Sequence, residues 1–206
     1  MIKLHHLNHS RSKRIIWLLE ELGLDYEVVP YQRDSVTFLA PPELKSVHPL
    51  GKSPVIELDG QIITESGAIT EYLIERFGAD QLAPNRESPI YADYLTWLHF
   101  AESSAMLPLL LKVFLAKEPA ETAFLSSYAD MEQNKVLDYV NQQLGDKRYL
   151  IEDRLTGADI MMSFVVDVVT NLGVISQYAN IQRYSEQLEK NPNYQKAMEI
   201  EHAHNR

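Results

Sequence analysis

A chain of 206 residues with 45% hydrophobic and 23% charged residues is long enough to bury a sizeable core and is typical of a soluble protein of one or two domains. Its 29 acidic residues outnumber its 19 basic ones and give a net charge of −10, which opposes nonspecific binding to nucleic acid or anionic membranes. The lack of cysteine excludes disulfides, thiolate metal sites and any protein thiol as nucleophile.

The first third of the sequence predicts two strands and two helices. Strands are expected over Ile2–Leu7 and Tyr26–Tyr31, which are short runs rich in apolar residues. A helix is expected over Arg11–Leu22, because its apolar residues repeat on one face and Gly23 follows as a stop signal. A second, short helix is expected from residue 41, where two consecutive prolines suit a first turn.

A hairpin and a third helix are predicted next. Two aliphatic runs within residues 55–63 flank Asp59 and Gly60, the pair that a two-residue type I′ turn favours. From Thr64 the apolar spacing changes to a period of about 3.6 residues, which Gly78 ends. The first turn of this helix carries unpaired backbone N–H groups that would suit a ligand carboxylate.

The remainder of the chain predicts helices. Residues 79–86 fit neither periodicity and are expected to link two domains. Pro108 is expected to kink or interrupt a long helix, because it lacks an N–H and crowds the preceding turn. Thr156 and Asp159 have the spacing of a capping box before an apolar helix, which is expected to be the buried centre of the second domain. The other helices are expected over 90–116, 120–144, 182–190 and 193–202.

Membrane, export and metal signals are not evident in this sequence. No run approaches the roughly 18 consecutive apolar residues that a membrane span requires, and the first residues lack the apolar stretch of a signal peptide. A cytoplasmic location is therefore expected. His5 and His6 are adjacent on a predicted strand and would face opposite sides, so no metal site is expected.

The motif Gly-Lys-Ser-Pro at residues 51–54 precedes the predicted hairpin, and Glu65 and Ser66 open the helix after it. This combination resembles the glutathione-binding half of a glutathione S-transferase, and the order of elements is similar to that family over essentially the whole chain. The resemblance implies an α/β thioredoxin-like N-terminal domain followed by an all-α C-terminal domain, in a cytosolic, serine-type, bacterial or fungal-like member. The expected domains are 1–78 for glutathione binding, a linker over 79–86, and a helical domain over 87–206.

Glutathione is an extended tripeptide with a carboxylate near each end, an α-ammonium and a central thiol. At the γ-glutamyl end, the resemblance assigns Ser66 and its N–H to the carboxylate and Glu65 to the ammonium, and their place at a helix start agrees with this. The alternative for both residues is that they only cap the helix.

Residues just before the hairpin are expected to meet the middle and the glycyl end of glutathione. Pro54 leaves a ladder position open at the head of a strand, so the backbone of Ser53 is available to an extended ligand. The resemblance implies a cis peptide bond before Pro54. Lys52 offers a cation to the glycyl carboxylate and His48 is a second candidate, although each has the alternative of an ordinary surface role.

The thiol of glutathione needs a hydrogen-bond donor, because an unperturbed thiol pKa of about 8.5 leaves little thiolate at neutral pH. Ser10, four residues before Arg14, stands where serine-type members of the family hold this hydroxyl. Residues 4–12 contain no tyrosine, and Asn8 and Ser12 are rivals for the role. The alternative for Ser10 or Ser12 is to cap the first helix.

The resemblance implies a hydrophobic pocket for the second substrate between the domains. Its candidate residues are Asn8, His9, Met106, Leu110 and Phe114. The predicted activity is conjugation of glutathione, as co-substrate, to a small hydrophobic electrophile by a homodimer without a metal or redox cofactor. The alternatives are a non-catalytic binding or regulatory module with the same fold, and a glutathione-dependent isomerase or peroxidase that uses the same site.

Overall fold

The computed structural model describes residues 1–120 and 122–204. The chain divides into two compact units. The first consists of Met1–Leu82 together with the residues from Glu189 onward, and the second consists of Ala83–Leu188. The domain boundaries expected at residues 78 and 86 stay a prediction.

The described residues contain the predicted strands and helices in the predicted order, with a further short helix inside the stretch 79–86 that was expected to be a linker. The strands are β1 (Ile2–Leu7), β2 (Tyr26–Tyr31), β3 (Val55–Leu58) and β4 (Gln61–Thr64). The helices are α1 (Ser12–Glu21), α2 (Leu44–Val47), α3 (Ser66–Phe77), α4 (Ala79–Leu82), α5 (Tyr91–Phe100), α6 (Met106–Leu115), α7 (Ala123–Leu144), α8 (Gly157–Asn171), α9 (Ala179–Glu189) and α10 (Pro192–His204). The predicted fold class, a thioredoxin-like α/β part followed by helices, is confirmed.

The four strands form one mixed sheet in the order β2-β1-β3-β4. β1 runs parallel to β2 and antiparallel to β3, while β3 and β4 form the predicted hairpin. Asp59 and Gly60 connect this hairpin with φ angles of 52° and 79°, and a type I′ turn requires positive φ at both positions. The central place of β1 puts its carboxyl end between the ends of two neighbouring strands.

Helix α1 lies at the centre of the first unit. Its side chains Ile15, Leu18 and Leu19 are fully buried, and the helix packs against β1, α3 and α10. The buried ring of Trp17 meets that of Tyr194 in α10 edge-on, with 5.0 Å between the ring centroids. The last helix therefore contributes to the core of the first unit.

Helix α8 is largely buried in the second unit, as predicted. Thr156 and Asp159 form the predicted capping box at its start. The fully buried Asp159 carboxylate accepts the Thr156 N–H at 2.8 Å, the Leu150 N–H at 2.9 Å and the Tyr184 O–H at 2.8 Å. Burial raises the pKa of Asp159, and these hydrogen bonds partly offset the rise.

Pro108 disturbs the helical path without ending it. A π-helical segment, Ala101–Ala105, separates α5 from α6, and α6 continues through the proline. A proline ring crowds the carbonyl group four residues before it, and here that carbonyl belongs to Ser104 inside the π segment. The wider turn accommodates the crowding, so the predicted kink or interruption takes the form of a local widening.

By length and composition alone, the run Tyr91–Leu115 is apolar enough to cross a membrane, and no other helix of the described residues passes that test. In the second unit, however, α5 packs against α8, and α6 packs against α7. Leu98, Ala101 and Leu109 are fully buried there. One third of the most apolar 18-residue stretch of this run is buried, and these contacts place one face of it in the core of the second unit.

Candidate functional site

The loop before β3 is fastened to the end of β1 by one serine. Ser53 Oγ donates to the His5 carbonyl at 2.7 Å and accepts the Leu7 N–H at 3.1 Å. The peptide bond between Ser53 and Pro54 is cis, as the resemblance implied. Pairing of β3 starts at Val55, so the Ser53 backbone lies before the first paired residue of the hairpin.

Two further serines connect β1 with α1. Ser12, the first residue of α1, is fully buried, and its Oγ lies 2.7 Å from both Ser10 Oγ and His6 Nδ1. The Leu7 carbonyl lies 3.2 Å from the same Ser12 oxygen. Ser10 is 4% exposed, and its Oγ accepts the Ser12 N–H at 3.2 Å. The Ser10 hydroxyl therefore supports the first turn of α1 in addition to any role toward a ligand.

The neighbouring histidines of β1 have different partners. His6 is fully buried beside the two serines, whereas His5 Nδ1 lies 2.9 Å from the Tyr31 hydroxyl and its Nε2 lies 2.8 Å from the Glu57 carboxylate. Burial, together with the Glu57 and Glu43 carboxylates, raises the pKa of Tyr31. Among the described residues, no group of three histidine, cysteine or acidic side chains is placed to hold a metal ion.

Glu65 and Ser66 occupy the N-terminus of α3. Glu65 has a φ of 67°, which residues other than glycine rarely adopt, and its side chain is exposed. Ser66 is 3% exposed, and its Oγ accepts a hydrogen bond from Arg14 Nη1 at 3.2 Å. Because Arg14 belongs to α1, its side chain couples the first turns of α1 and α3. The backbone N–H groups at the start of α3 suit a carboxylate.

Arg33 holds the two residues that follow β1. The Asn8 side-chain oxygen accepts the Arg33 N–H at 2.8 Å, and the Asn8 carbonyl accepts Arg33 Nε at 3.0 Å. His9 has a φ of 50°, and its carbonyl accepts Arg33 Nη2 at 3.5 Å. Burial, and to a lesser extent the Arg11 charge, lowers the pKa of Arg33. The Asn8 side-chain oxygen is therefore engaged in holding this loop.

Lys52 and His48 lie in the segment that leads to Ser53. Lys52 is exposed and His48 is half-buried. The His48 backbone N–H donates to Leu44 at 3.1 Å, and its carbonyl accepts the Gly51 N–H at 2.8 Å. These backbone hydrogen bonds order the segment just before Lys52, whose side chain is exposed.

The candidate pocket residues of α6 differ in exposure. Met106 is 1% exposed and lies in the core of the second unit, while Leu110 is half-buried and Phe114 is 59% exposed. A buried methionine contributes packing, whereas the two others have apolar surface available for contact with a small molecule.

Hydrogen bonds join the candidate residues of the first unit into one cluster. The Leu7 carbonyl lies 3.2 Å from Ser12 Oγ, and the Leu7 N–H donates to Ser53 Oγ. Ser12 Oγ also lies 2.7 Å from Ser10 Oγ. Arg14, two residues further along α1, adds the start of α3 through its bond to Ser66. A hydroxyl, an open strand backbone and a helix N-terminus are thus gathered at the carboxyl end of β1.

Comparisons with known proteins identify the family. Models of the glutathione S-transferase N-terminal and C-terminal domains match residues 1–75 and 105–192. Glutathione S-transferase 1 of Saccharomyces cerevisiae is 35% identical over 185 residues, which cover 80% of this chain and 79% of the yeast protein. The chain belongs to the glutathione S-transferase family.

Two other glutathione S-transferases are similar over most of the chain. Glutathione S-transferase 3 of Schizosaccharomyces pombe is 34% identical over 200 residues, which cover 89% of this chain and 81% of the fission yeast protein. A crystal structure of a glutathione S-transferase from Actinobacillus pleuropneumoniae superposes with a TM-score of 0.89 at 36% identity, covering 98% of this chain and 93% of the bacterial one.

Sequence reasoning missed three residues that organise this candidate site, namely His6, Arg14 and Arg33. Arg14 gives a signal in retrospect, because it is a charged residue within the buried face of α1 and is 1% exposed. His6 and Arg33 give none, since their partners lie on other elements and local periodicity does not report such contacts.

Proposed function

We propose that this member of the glutathione S-transferase family conjugates the thiolate of glutathione to small hydrophobic electrophiles, with Ser10 as the donor to the sulfur. The observation that carries the proposal is the cluster at the end of β1, in which Ser10 and Ser53 are joined through Ser12 and Leu7. An extended tripeptide beside the Ser53 backbone would carry its central sulfur toward the start of α1.

Ionisation of the sulfur is the chemical task of the site. A thiol with a pKa near 8.5 is only a few per cent ionised at neutral pH, and a hydroxyl donor together with a helix N-terminus favours the charged form. Ser10 would donate its hydrogen to the thiolate and remain uncharged. The proton of the thiol passes to solvent. The thiolate then attacks the electrophile and forms the carbon–sulfur bond, and either a leaving group departs with the electrons of its broken bond or, in an addition, the adduct takes a proton from solvent.

The two ends of glutathione have separate partners in this proposal. The N–H and hydroxyl of Ser66 hold the γ-glutamyl carboxylate, and the exposed Glu65 carboxylate pairs with the α-ammonium. At the other end, Lys52 pairs with the glycyl carboxylate, with His48 as a nearby second group. Arg14 keeps Ser66 in place through its 3.2 Å hydrogen bond.

The electrophile is proposed to contact Leu110 and Phe114, which offer apolar surface. Conjugation of such compounds would make the protein part of a detoxification system in the cytoplasm.

Two alternative functions share this fold. Isomerase or peroxidase activity would use the same glutathione site, and a non-catalytic module would need no activated thiolate.

Replacement of Ser10 tests the activity directly. Ser10→Ala removes a hydrogen bond to a charged sulfur, which contributes about 1.5–3 kcal/mol, so kcat for a standard aromatic electrophile should fall roughly 10- to 150-fold. Calorimetry should find the glutathione affinity nearly unchanged. Ser46→Ala is the matched control, because Ser46 is exposed and its hydroxyl donates only to the Glu43 carbonyl among the described contacts.

The alternatives separate in the same experiments. If saturating glutathione gives wild-type protein neither binding heat nor thermal protection, the proposed function is wrong. Glutathione binding without turnover of any electrophile would favour a binding module. Turnover confined to peroxides, or to isomerisation of an adduct, would assign that chemistry to the site.

A homodimer is part of the proposal. A groove of about 490 Å³ lies between α6 and α7, and its lining includes Leu107 and Tyr139, which are 58% and 42% exposed. A second copy of the chain would cover this apolar surface. Light scattering should find a dimer for wild type and for Val36→Glu, an exposed site in the first unit, but a monomer for Leu107→Glu. A monomeric wild type would contradict the proposed assembly.

A further inference from the structure

A buried chain of hydrogen-bonding groups leads from the imidazole of β1 to the proposed sulfur donor. His6 Nδ1 lies 2.7 Å from Ser12 Oγ, and Ser12 Oγ lies 2.7 Å from Ser10 Oγ. His6 and Ser12 are fully buried, and Ser10 is 4% exposed. Both distances are those of ordinary hydrogen bonds, so each link contains one hydrogen, supplied by one of its two partners.

The number of hydrogens fixes how this chain can run. A serine hydroxyl has one hydrogen to donate. If Ser10 gives its hydrogen to a ligand sulfur, the link between the serines must use the hydrogen of Ser12. Ser12 then has none left for His6, and the remaining link must use a hydrogen on His6 Nδ1.

If the two hydrogen bonds run in the opposite direction, Ser10 cannot donate to the sulfur. When the imidazole proton is on Nε2, Nδ1 is an acceptor and takes the hydrogen of Ser12. Ser10 can then make its link only by donating to Ser12, which leaves no hydrogen for the sulfur. The two tautomers of one buried histidine thus correspond to a site with a sulfur donor and a site without one.

We propose that His6 is a positioning residue that, through Ser12, directs the Ser10 hydrogen toward the sulfur of glutathione. The inference rests on the proposed function, because it assigns His6 a role in that same site. His6 with its proton on Nδ1 donates to Ser12, and Ser12 donates to Ser10. No covalent bond changes, and no proton leaves the chain.

Two further contacts bear on this arrangement. Ser10 Oγ also accepts the Ser12 N–H at 3.2 Å, so in the active direction it accepts two hydrogen bonds, which polarise its own O–H toward the sulfur. The Leu7 carbonyl, 3.2 Å from Ser12 Oγ, is a competing acceptor for the Ser12 hydrogen. It is 0.5 Å farther away than the Ser10 oxygen, which favours the link between the serines.

Two substitutions of His6 test the proposal with two readouts. His6→Leu removes the Nδ1 donor, and His6→Asn keeps an N–H close to the Nδ1 position. The readouts are the ultraviolet absorption of the thiolate of bound glutathione and the kcat for conjugation. His6→Leu should lower both about tenfold, the value of one ordinary hydrogen bond, at nearly unchanged glutathione affinity. His6→Asn should restore most of both.

His5→Leu is the control for general damage to β1. His5 is also buried and has two hydrogen-bonding partners, Tyr31 and Glu57, but it is not part of the chain to Ser10. The His5→Leu substitution should lower the thermal stability, while the thiolate absorption per folded molecule should stay at the wild-type value. Ser12→Ala, which breaks the chain, and Ser12→Thr, which keeps the hydroxyl, repeat the comparison if His6→Leu does not fold.

Each outcome is decisive. Full thiolate absorption and turnover in His6→Leu or Ser12→Ala would overturn the proposal, as would equal losses in His6→Asn and His6→Leu. Failure of wild type to bind glutathione would instead refute the proposed function. An active wild type with a fully active Ser10→Ala would keep the transferase activity and remove both Ser10 and His6 from it.

Discussion

The buried Asp159 carboxylate gives the sharpest test of how the second unit is stabilised. Asp159→Ala leaves the N–H groups of Leu150 and Thr156 and the O–H groups of Thr156 and Tyr184 without their acceptor, all in the buried interior. A buried donor that loses its partner costs about 1–3 kcal/mol, so the four together should lower the free energy of unfolding by about 4–12 kcal/mol. This is a large part of the roughly 5–15 kcal/mol typical of a domain.

Urea denaturation followed by circular dichroism and tryptophan fluorescence measures this loss. Tyr184→Phe removes one donor and keeps the carboxylate, so it should cost only about 1 kcal/mol. Asp146→Ala is the matched control, because Asp146 is fully exposed and lies 3.8 Å from Arg183, and it should change stability by less than about 0.5 kcal/mol. An Asp159→Ala protein within 1 kcal/mol of wild type would refute the reasoning.

Three further predictions concern other hydrogen bonds and contacts. The backbone N–H and the hydroxyl of Thr37 lower the pKa of Asp34, so the stabilisation that they give is present above the unfolded pKa of Asp34 and is lost as the pH falls. Thr37→Val should raise the pKa of Asp34 in an NMR titration, and an unchanged pKa would contradict this. Asn141→Ala removes the acceptor for two backbone N–H groups at the start of α9 and should cost about 1–2 kcal/mol in urea unfolding; no loss would exclude the cap. Tyr194→Ala should expose Trp17, shift its fluorescence to longer wavelength and cost about 1–2 kcal/mol, whereas an unshifted spectrum would deny the packing of α10 on α1.

Features with a local physical cause could be predicted from the sequence. Asp59 and Gly60 specify the hairpin because both adopt positive φ at low cost, and Thr156 with Asp159 specify the start of α8 because the capping partners are three residues apart. The cis bond before Pro54 was expected only through the family resemblance, since few X–Pro bonds are cis. Local pattern therefore determined the elements, and the resemblance supplied the site.

Features that depend on distant parts of the chain could not be predicted. The bond between Arg14 and Ser66 joins residues 52 positions apart, and the contact of Ser53 with β1 spans 46 positions. The π segment before Pro108 relieves the steric conflict that the proline ring causes within the helix. From sequence alone, a kink or a break of the helix is expected equally. Site residues such as His6 are recognised only when the elements that carry their partners are assembled.

The return of α10 to α1 has a consequence for biosynthesis. Met1–Leu82 is translated before residues 189–204, which cover the surface around Trp17. During that interval the side of the Trp17 ring that Tyr194 covers in the folded protein stays uncovered. A premature stop before Glu189 would therefore remove part of the core of the first unit, although most of that unit is encoded far upstream of the stop.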